Sequence, residues 1–323
     1  MKVSIIGTGN IAHTMARTVN AVEGAELYAV ASRTIESARE FAKEFNIPVA
    51  YGSYDGLIND SETELVYIST IHPLHYELSK KSLCRKKNVL CEKPIAMNRA
   101  QAEDLFNTAK ENNVFICEAV WTRFFPWVRD VQDIINSGEI GSPVLLESRF
   151  GFRTEIERLH NPELGGGALL DMGIYNITAA DLLFGSDFEI ADTSCILSDA
   201  GVDEHNFTML KYPDGKCAYL TSSISMGLDS KVKVFCEKGY LEIFGPPNWG
   251  KVKIFDTSGE LIRELEPTCI TGYEYELQSC IKAIKDGKTE CEEVPHNKTL
   301  FVMNVMDELR AAWGMKYPNE YLI

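Results

Sequence analysis

Two separated stretches of the sequence carry side chains whose types and spacing suit acid–base chemistry. Lys93 ends the apolar run of "NVLCEKP", and a lysine there could hold a substrate oxygen and lower the pKa of a neighbouring acid. Asp171 and Tyr175 stand four residues apart in "LGGGALLDMGIYN", so they share one face if this stretch is a helix. Gly173 between them would keep that face shallow and let a ligand come close. The residues alone leave two alternatives open: a surface lysine, and a helix start with Asp171 solvated and Tyr175 packed.

Alternating strand and helix patterns predict the sheet that must position Lys93. Residues 3 to 119 alternate short apolar runs, such as "VSII" and "LVYIST", with amphipathic stretches such as "IESAREFAKEF". Strands separated by helices of this length form parallel β/α/β units. We therefore predict an α/β Rossmann domain with a doubly wound parallel sheet over residues 1–121.

The pattern changes after about residue 140, in the part of the chain that carries Tyr175. Runs such as "PVLLESRFGF", "KCAYLTSSIS" and "SKVKVFCEK" are typical of strands, and turn residues such as "PDGK" and "EKGY" join them. We predict an α+β domain over residues 122–323 with a large open, mainly antiparallel sheet. Helices are predicted at residues 167–184, about 273–286 and 298–314.

The stretch "VSIIGTGNIA" is typical of a loop that binds the pyrophosphate of a dinucleotide. Gly7, Gly9 and Ala12 occupy the positions of a G-x-G-x-x-G/A motif between a strand and a helix. Gly7 would permit the tight turn, Gly9 would let the backbone approach the pyrophosphate, and the small Ala12 would let helix pack on strand. The predicted cofactor-binding residues of this loop are Gly7, Gly9, Asn10, Ile11 and Ala12. The alternative is a plain glycine turn.

The residues after the second predicted strand indicate which dinucleotide binds. An acid about 20 residues beyond the glycines would bind the ribose 2'-hydroxyl of NAD, whereas a basic residue would accommodate the 2'-phosphate of NADP. "YAVASRT" offers Ser32 and Arg33 and no acid, so we predict that both bind the cofactor and that NADP is favoured over NAD. The alternative is that Arg33 is solvated and that Thr34 caps the next helix.

A second glycine-rich stretch precedes Tyr175. Gly165 to Gly167 run into an apolar segment with helical spacing, which is the outline of a phosphate-binding loop at a helix N-terminus. "GTGNIA" already has the strand, turn and helix for that role. We therefore predict that the triplet lets a helix start close to the bound cofactor.

Composition excludes several classes of partner. A chain of 323 residues with a formal net charge of -15 is a poor match for nucleic acid or an anionic membrane face, so we expect neither as a partner. The nine cysteines show no C-x-x-C pair and no Cys/His spacing typical of zinc, so we expect reduced, mostly buried thiols and no metal. No charged n-region or long apolar stretch precedes the first strand. We therefore expect a cytoplasmic protein without signal peptide or membrane span.

Four motifs taken together resemble a known enzyme family. "GTGNIA", "CEKP", "EAVWTRFFP" and "GGGALLDMGIY", in this order and spacing, resemble the glucose-fructose oxidoreductase / inositol dehydrogenase / MocA family. The resemblance spans nearly the whole chain and is greatest to the branch of dimeric dihydrodiol dehydrogenases and NADP-dependent xylose dehydrogenases.

The resemblance implies catalytic roles for three residues. It makes Lys93 catalytic, with Pro94 helping to aim it, and Tyr175 the acid/base at a position where the inositol dehydrogenase branch has histidine. Asp171 matches an aspartate expected to orient the substrate or the catalytic pair. Hydride would leave a carbinol carbon for the nicotinamide while the hydroxyl proton needs a base. A free tyrosine titrates at about pH 10, and a nearby ammonium group would lower that pKa by roughly one to three units.

The resemblance also implies contacts to cofactor and substrate. The "STIHPLH" loop matches a family loop that touches the dinucleotide, which implies Thr70, His72 and His75 as cofactor contacts. The sequence departs there from the usual T-P-N-x-x-H pattern, and helix capping or turn chemistry stays open for His75. Glu92 and Lys93, at the carboxyl end of their strand, are also predicted to bind the cofactor.

The "EAVWTRFFP" stretch is the predicted substrate pocket. The resemblance puts Trp121 and Arg123 at the pocket, and Phe124 is predicted to join them, since aromatic rings suit stacking on a sugar face or an aromatic diol. Together with Asp171 and Tyr175 these are the predicted substrate-binding residues. A hydrophobic hinge with a salt-bridged Arg123 is the alternative.

The sequence thus predicts an NAD(P)-dependent oxidoreductase, with NADP preferred, acting on a secondary alcohol or carbonyl of a sugar or a trans-dihydrodiol. The family's open sheet usually pairs with another subunit, so we predict a homodimer through the C-terminal sheet and a small-molecule substrate. One alternative is another reductase of the superfamily, acting on an anhydrosugar or an imine, or a sugar–sugar oxidoreductase that retains its NADP. A non-catalytic dinucleotide-binding sensor is the alternative of a different class.

Overall fold

The computed structural model describes residues 1–318 and 320. The chain forms two compact units, the first of Met1–Phe124 with Cys269–Met303, and the second of Phe125–Thr268 with the described residues from Asn304 onward. The first boundary thus lies a few residues beyond the one predicted at 121/122. The inclusion of residues 269–303 in the first unit was not predicted, because periodicity reveals a helix but not the sheet against which it packs.

The secondary structure follows the predicted change of pattern along the chain. The strands are β1 (Lys2–Ile6), β2 (Glu26–Ala31), β3 (Val49–Tyr51), β4 (Leu65–Ile68), β5 (Asn88–Glu92), β6 (Ile116–Ala119), β7 (Pro143–Gly151), β8 (Glu189–Leu197), β9 (Asp203–Lys211), β10 (Cys217–Ser223), β11 (Lys231–Cys236), β12 (Gly239–Phe244), β13 (Lys251–Asp256) and β14 (Leu261–Leu265). The helices are α1 (Asn10–Ala21), α2 (Ile35–Phe45), α3 (Tyr54–Ile58), α4 (His72–Cys84), α5 (Arg99–Asn112), α6 (Trp127–Ser137), α7 (Glu157–His160), α8 (Ile174–Phe184), α9 (Glu274–Lys285) and α10 (His296–Trp313).

The first unit contains a six-stranded parallel sheet in the order β3-β2-β1-β4-β5-β6. The strand order reverses between β1 and β4, and ligands of such sheets bind where neighbouring strands diverge at their carboxyl ends. Gly7 follows β1, Thr70 follows β4 and Lys93 follows β5, so the predicted cofactor residues lie at this edge. The predicted Rossmann fold is confirmed.

Helix α9 completes the core of the first unit. Leu277 and Cys280 of α9 are fully buried in one apolar cluster with Ala12 and Met15 of α1. The apolar face that the sequence displays around residues 273–286 is therefore buried against the nucleotide-binding fold.

The second unit contains an eight-stranded sheet in the order β14-β13-β12-β11-β7-β10-β9-β8. Neighbouring strands are antiparallel except β7 and β10, which run parallel, so the predicted mainly antiparallel sheet is confirmed. Alternation along β11 shows its two faces, because Val232 and Val234 are fully buried while Lys231 and Lys233 are not. Helix α8 packs against β7 and β10.

The helices of the described residues are all too short or too polar to cross a membrane.

Candidate functional site

The first turn of the sheet has the shape that a pyrophosphate loop requires. Gly7 has a φ of 111°, and a Cβ there would lie 2.7 Å from the carbonyl oxygen of Ser69, so only glycine fits. A Cβ at Gly9 would meet no atom within 4 Å, which leaves the backbone open to an approaching group. Ala12 is fully buried in the core, as its predicted packing role requires.

The N-terminus of α1 fits an anionic group. Gly9 is the N-cap and no side chain caps the helix, so the amide groups of its first turn are available to a ligand. The exposed Asn10 and the half-buried Ile11 lie in that turn. A helix N-terminus with open space above it favours negative charge, so these residues fit a dinucleotide pyrophosphate.

The end of β2 lies beside this turn. The hydroxyl groups of Thr8 and Ser32 are 3.4 Å apart, which connects the glycine loop to the predicted 2'-phosphate position. Thr34 caps α2 by accepting a hydrogen bond of 3.3 Å from the N–H of Ser37, so the capping alternative is confirmed for that residue. Arg33 is exposed, and its contact with the cofactor stays a prediction.

The loop after β4 connects two of the predicted cofactor segments. His75 is fully buried, and its Nδ1 lies 2.8 Å from the carbonyl oxygen of Pro94 while its Nε2 lies 3.1 Å from that of Thr70. His75 therefore joins the β4 loop to the loop that follows Lys93. His72 is also buried, with 4% exposure, and the predicted contacts of Thr70, His72 and His75 with the cofactor stay predictions.

The loop that carries Lys93 is fixed from below by a buried carboxyl group. The Lys93–Pro94 peptide is cis, and the N–H of Ile95 donates a hydrogen bond of 3.0 Å to Oε1 of Glu118 on β6. The other carboxyl oxygen, Oε2, accepts a hydrogen bond of 3.1 Å from the hydroxyl group of Thr299 on α10. Burial raises the pKa of Glu118 above its ordinary value. Lys93 itself is half-buried.

Glu92 lies beneath the loop rather than on its surface. It is 8% exposed and accepts a hydrogen bond from the hydroxyl group of Tyr67. Burial raises the pKa of Glu92 to about 7, against the opposing effect of that hydrogen bond and of Lys93. The predicted contact of Glu92 with the cofactor stays a prediction.

The predicted pocket residues after β6 form a 3-10 turn, Trp121–Phe124. The half-buried Trp121 stacks on Tyr273, with ring centroids 4.4 Å apart. Arg123 is 8% exposed, and Phe124 packs in the apolar core of the first unit at 6% exposure. The predicted substrate contacts of these three residues stay predictions.

In the second unit, the glycine triplet is required by close packing. A Cβ at Gly166 would lie 2.6 Å from the carbonyl oxygens of Arg158 and Leu159, and one at Gly167, where φ is 107°, would overlap Oδ1 of Asp203. The hydroxyl group of Tyr317 donates to the carbonyl oxygen of Gly166. Close contact with neighbouring backbone and with Asp203 thus requires glycine at both positions, and the predicted approach of this helix start to the cofactor stays a prediction.

A π-helical turn, Leu169–Gly173, precedes α8 and was not predicted. Such turns are frequent at functional sites because they widen the helix locally. Asp171 lies in this turn, and its Oδ1 accepts a charge-assisted hydrogen bond of 3.1 Å from Arg158. Tyr175 follows in the first turn of α8 and is 6% exposed, and its ring forms a T-shaped pair with Phe150, with centroids 6.0 Å apart.

Asn176 holds the start of α8 on the sheet. Its Oδ1 accepts a hydrogen bond of 2.6 Å from the hydroxyl group of Ser148 on β7. Its Nδ2 donates two hydrogen bonds of 3.0 Å to β10, one to the carbonyl oxygen of Thr221 and one to the hydroxyl group of Ser222. A Cβ at Gly173 would lie 3.2 Å from Oγ of Ser222, so this glycine serves close approach to the sheet. The interpretation that Gly173 keeps a ligand-binding face shallow is therefore wrong.

The supporting roles of three residues were missed by sequence reasoning. Arg158, Asp203 and Asn176 position the segment around Asp171 and Tyr175, yet none has a spacing that predicts its partner. The signal that could have found Asp203 is an acid directly after the apolar Val202 at the start of a strand pattern, where burial requires a hydrogen-bond donor.

Comparison with known proteins places both units in one family. Residues 1–119 match the model of an oxidoreductase family with an NAD-binding Rossmann fold, GFO/IDH/MocA, and residues 128–242 match the C-terminal domain of the same family. Trans-1,2-dihydrobenzene-1,2-diol dehydrogenase of Xenopus tropicalis is 33% identical over 302 residues, which cover 91% of each chain. The Mus musculus enzyme of that name is 31% identical over 98% of each chain.

A solved structure agrees over almost the full length. KijD10, a 3-ketoreductase from Actinomadura kijaniata crystallised with NADP and TDP-benzene, superposes with a TM-score of 0.88 at 25% identity, over 96% of this chain and 97% of its own. The matches cover both units, and the chain therefore belongs to the Gfo/Idh/MocA oxidoreductase family.

Proposed function

We propose that this protein is an NADP-dependent oxidoreductase that transfers hydride between the nicotinamide and a secondary alcohol or carbonyl of a sugar or a trans-dihydrodiol. Relatives named dihydrodiol dehydrogenases and a ketoreductase crystallised with NADP support this proposal. The observation that carries it is that buried hydrogen bonds hold the backbone next to both groups that this chemistry needs. One fixes Ile95, two residues after Lys93, and the other fixes Leu169, at the start of the turn that precedes Tyr175.

The glycine turn and the end of β2 would hold the cofactor. Gly7 and Gly9 give the pyrophosphate access to the backbone amides at the start of α1. Ser32 and the exposed Arg33 would bind the 2'-phosphate, since β2 ends in no acid. A bound nicotinamide would supply the hydride acceptor for the carbinol carbon, or the hydride donor for the carbonyl.

Residues of the chain itself would transfer the proton. Tyr175 takes the hydroxyl proton as hydride leaves, or gives it back during reduction, and Lys93 assists by stabilising the phenolate. Asp171, fixed by Arg158, orients the substrate hydroxyl group. Tyr175 is 6% exposed, and this burial limits competing hydrogen bonds from water.

We also propose a homodimer formed through the open face of the second sheet. On the face opposite the buried Val232 and Val234, the rings of Phe235, Tyr240 and Phe255 form a row across three strands, with centroids 6.1 and 4.7 Å apart. Half-buried aromatic rings are typical of interface cores. A monomer in equilibrium sedimentation at micromolar concentration would exclude this assembly.

The function is tested by a screen of aldoses, inositols, dihydrodiols and dicarbonyls that follows the absorbance of the reduced nicotinamide with NADP and with NAD. In the Tyr175→Phe variant, we expect turnover of the best substrate to fall by about 10² to 10⁴-fold while NADPH binding is retained. Unchanged turnover in this variant would refute the role of Tyr175.

The same purified protein also distinguishes the two alternative functions. Cofactor released only on denaturation would indicate an oxidoreductase that retains NADP between two substrates. NADPH binding without turnover of any compound in the screen would indicate a sensor.

A further inference from the structure

Three cysteines from distant parts of the chain meet in the core of the first unit. Cys117 lies on β6, Cys280 lies on α9, and Cys291 lies between α9 and α10. All three side chains are buried, and their Sγ atoms all lie within 4.8 Å of one another. Their separation in the chain explains why the sequence showed no metal-binding spacing.

The geometry of the sulfurs suits one soft cation. The Sγ atoms of Cys280 and Cys291 are 3.8 Å apart. Zinc binds thiolates at about 2.3 Å in a tetrahedron, whose sulfur–sulfur edge is therefore about 3.8 Å. The pair already has this separation, and Cys117 would have to move by about 1 Å at most.

The surroundings supply outer-shell groups. The Ser279 hydroxyl oxygen lies 3.6 Å from the sulfur of Cys291 and 2.7 Å from Oε2 of Glu293, so its one proton is shared between a carboxylate and the place of an outer-shell donor to a metal-bound thiolate. Glu276 lies one turn before Cys280, is fully buried, and has neither carboxyl oxygen hydrogen bonded to any described residue. It is an electrostatic neighbour of Cys291.

A cavity adjoins the cluster. A cavity of about 470 Å³ is lined by Cys291 together with Glu290, Glu292 and Lys288. Cys291 is 1% exposed, so a cation would reach its sulfur from this cavity through a local opening of the segment.

We propose that Cys117, Cys280 and Cys291 form a three-thiolate site for a soft divalent cation of the zinc class, separate from the nicotinamide chemistry. Sulfur-only ligand sets favour such cations over magnesium or calcium. Because its ligands come from β6, α9 and the segment after α9, a bound ion joins the returning segment 269–303 to the parallel sheet and stabilises the first unit.

Cobalt is the first probe. Co²⁺ added to the reduced full-length protein without air should give thiolate-to-metal charge-transfer absorption in the near ultraviolet, saturating at one ion per chain and displaced by Zn²⁺. Zn²⁺ should also raise the thermal midpoint, because an ion that binds only the folded state stabilises it. Absence of the thiolate band at saturating Co²⁺ and Cd²⁺ would overturn the proposal.

Cysteine variants locate the site. Cys280→Ser should weaken Co²⁺ binding by more than about 100-fold, since even the loss of outer-shell partners costs 10- to 100-fold. The matched control is Cys84→Ser, which removes an exposed thiol of α4 and should leave the band unchanged. A band that survives in Cys280→Ser would refute the assignment.

Two further measurements keep the proposal testable. If Cys280→Ser does not fold, Cys291→Ala is used in its place. In addition, the affinity of the wild-type protein for Zn²⁺ is measured by competition against a chromophoric chelator. Peptide mapping of protein purified without reductant tests the alternative that two of these cysteines form a disulfide. A disulfide between Cys280 and Cys291, with no metal bound by the reduced protein, would identify a redox pair and overturn the cation site.

Discussion

The main-chain N–H of Leu169 donates a hydrogen bond of 2.8 Å to Oδ2 of Asp203, a fully buried carboxyl group on β9. The same oxygen accepts a second hydrogen bond, of 2.7 Å, from Nδ2 of Asn206. Leu169 begins the π-helical turn that leads to Tyr175, so Asp203 positions the proposed acid/base through the backbone. Burial raises the pKa of Asp203 to about 7.

The pKa of Asp203 predicts how stability depends on pH. An unfolded aspartate titrates near about pH 4, so between about pH 4 and 7 the folded state holds a proton that the unfolded state releases, and stability falls as pH rises. Asp203→Asn mimics the protonated carboxyl group and removes this loss. The variant should therefore gain stability relative to wild type from pH 5 to 8, by on the order of 4 kcal/mol at most. A difference in denaturation midpoint that does not change with pH would contradict this.

Gly167 is predicted to tolerate no side chain. In Gly167→Ala, the φ of 107° costs about 1 to 2 kcal/mol, and the overlap with Asp203 adds roughly 1 to 3 kcal/mol. The matched control is Gly201→Ala, where φ is 91° but a Cβ would meet no atom within 4 Å, so only the backbone cost applies. Urea denaturation of both variants measures the difference. Equal destabilisation would show that the contact with Asp203 costs nothing.

Glu118 is predicted to matter for turnover because it fixes the loop of Lys93. Glu118→Ala removes the acceptor of the Ile95 N–H, and we expect kcat to fall by about 10- to 100-fold, since small misplacements of catalytic groups cost that much. Thr299→Ala is the matched control, because it removes the other hydrogen bond of the same carboxyl group and leaves the Ile95 contact. Its kcat should stay within a few-fold of wild type. Equal losses in both variants would refute a role of the Ile95 contact.

Arg33 is predicted to set cofactor preference. Arg33→Ala should raise the KM for NADPH about tenfold or more, because a charge-assisted contact to the 2'-phosphate contributes roughly 1.5 to 3 kcal/mol. The KM for NADH should hardly change, since NADH lacks that phosphate. Thr34→Ala is the control for the neighbouring cap, which should lower stability but leave the ratio of the two KM values unchanged. Parallel increases for both cofactors would contradict the assignment.

Much of the first unit was predictable from local pattern. Strands and helices alternate in the sequence because each β/α unit buries a continuous apolar run and one helix face, and right-handed crossovers leave few arrangements. The glycine turn was predictable as well, because the demand at Gly7 is a local backbone conformation. Lys93 and Tyr175 were singled out by the motifs of the family, to which the comparisons confirm that the chain belongs.

The hydrogen bonds that position the segments around Lys93 and Tyr175 were not predictable. Asp203 and Leu169, or Glu118 and Ile95, are distant in sequence, and a hydrogen bond between them leaves no periodic trace. For the same reason, Gly173 was assigned to the wrong environment, since its role depends on Ser222 of a strand formed later in the chain.

The sequence by itself determined the two sheet types, the dinucleotide loop and the family, because periodicity, backbone requirements and contiguous motifs are local properties of a chain. Only the tertiary structure decided that residues 269–303 return to the first unit, that Asp203 and Asn176 hold the segment around Tyr175, and that three scattered cysteines meet. These depend on which buried surfaces exclude water together. That choice is made by the packing of the whole chain rather than by any one stretch.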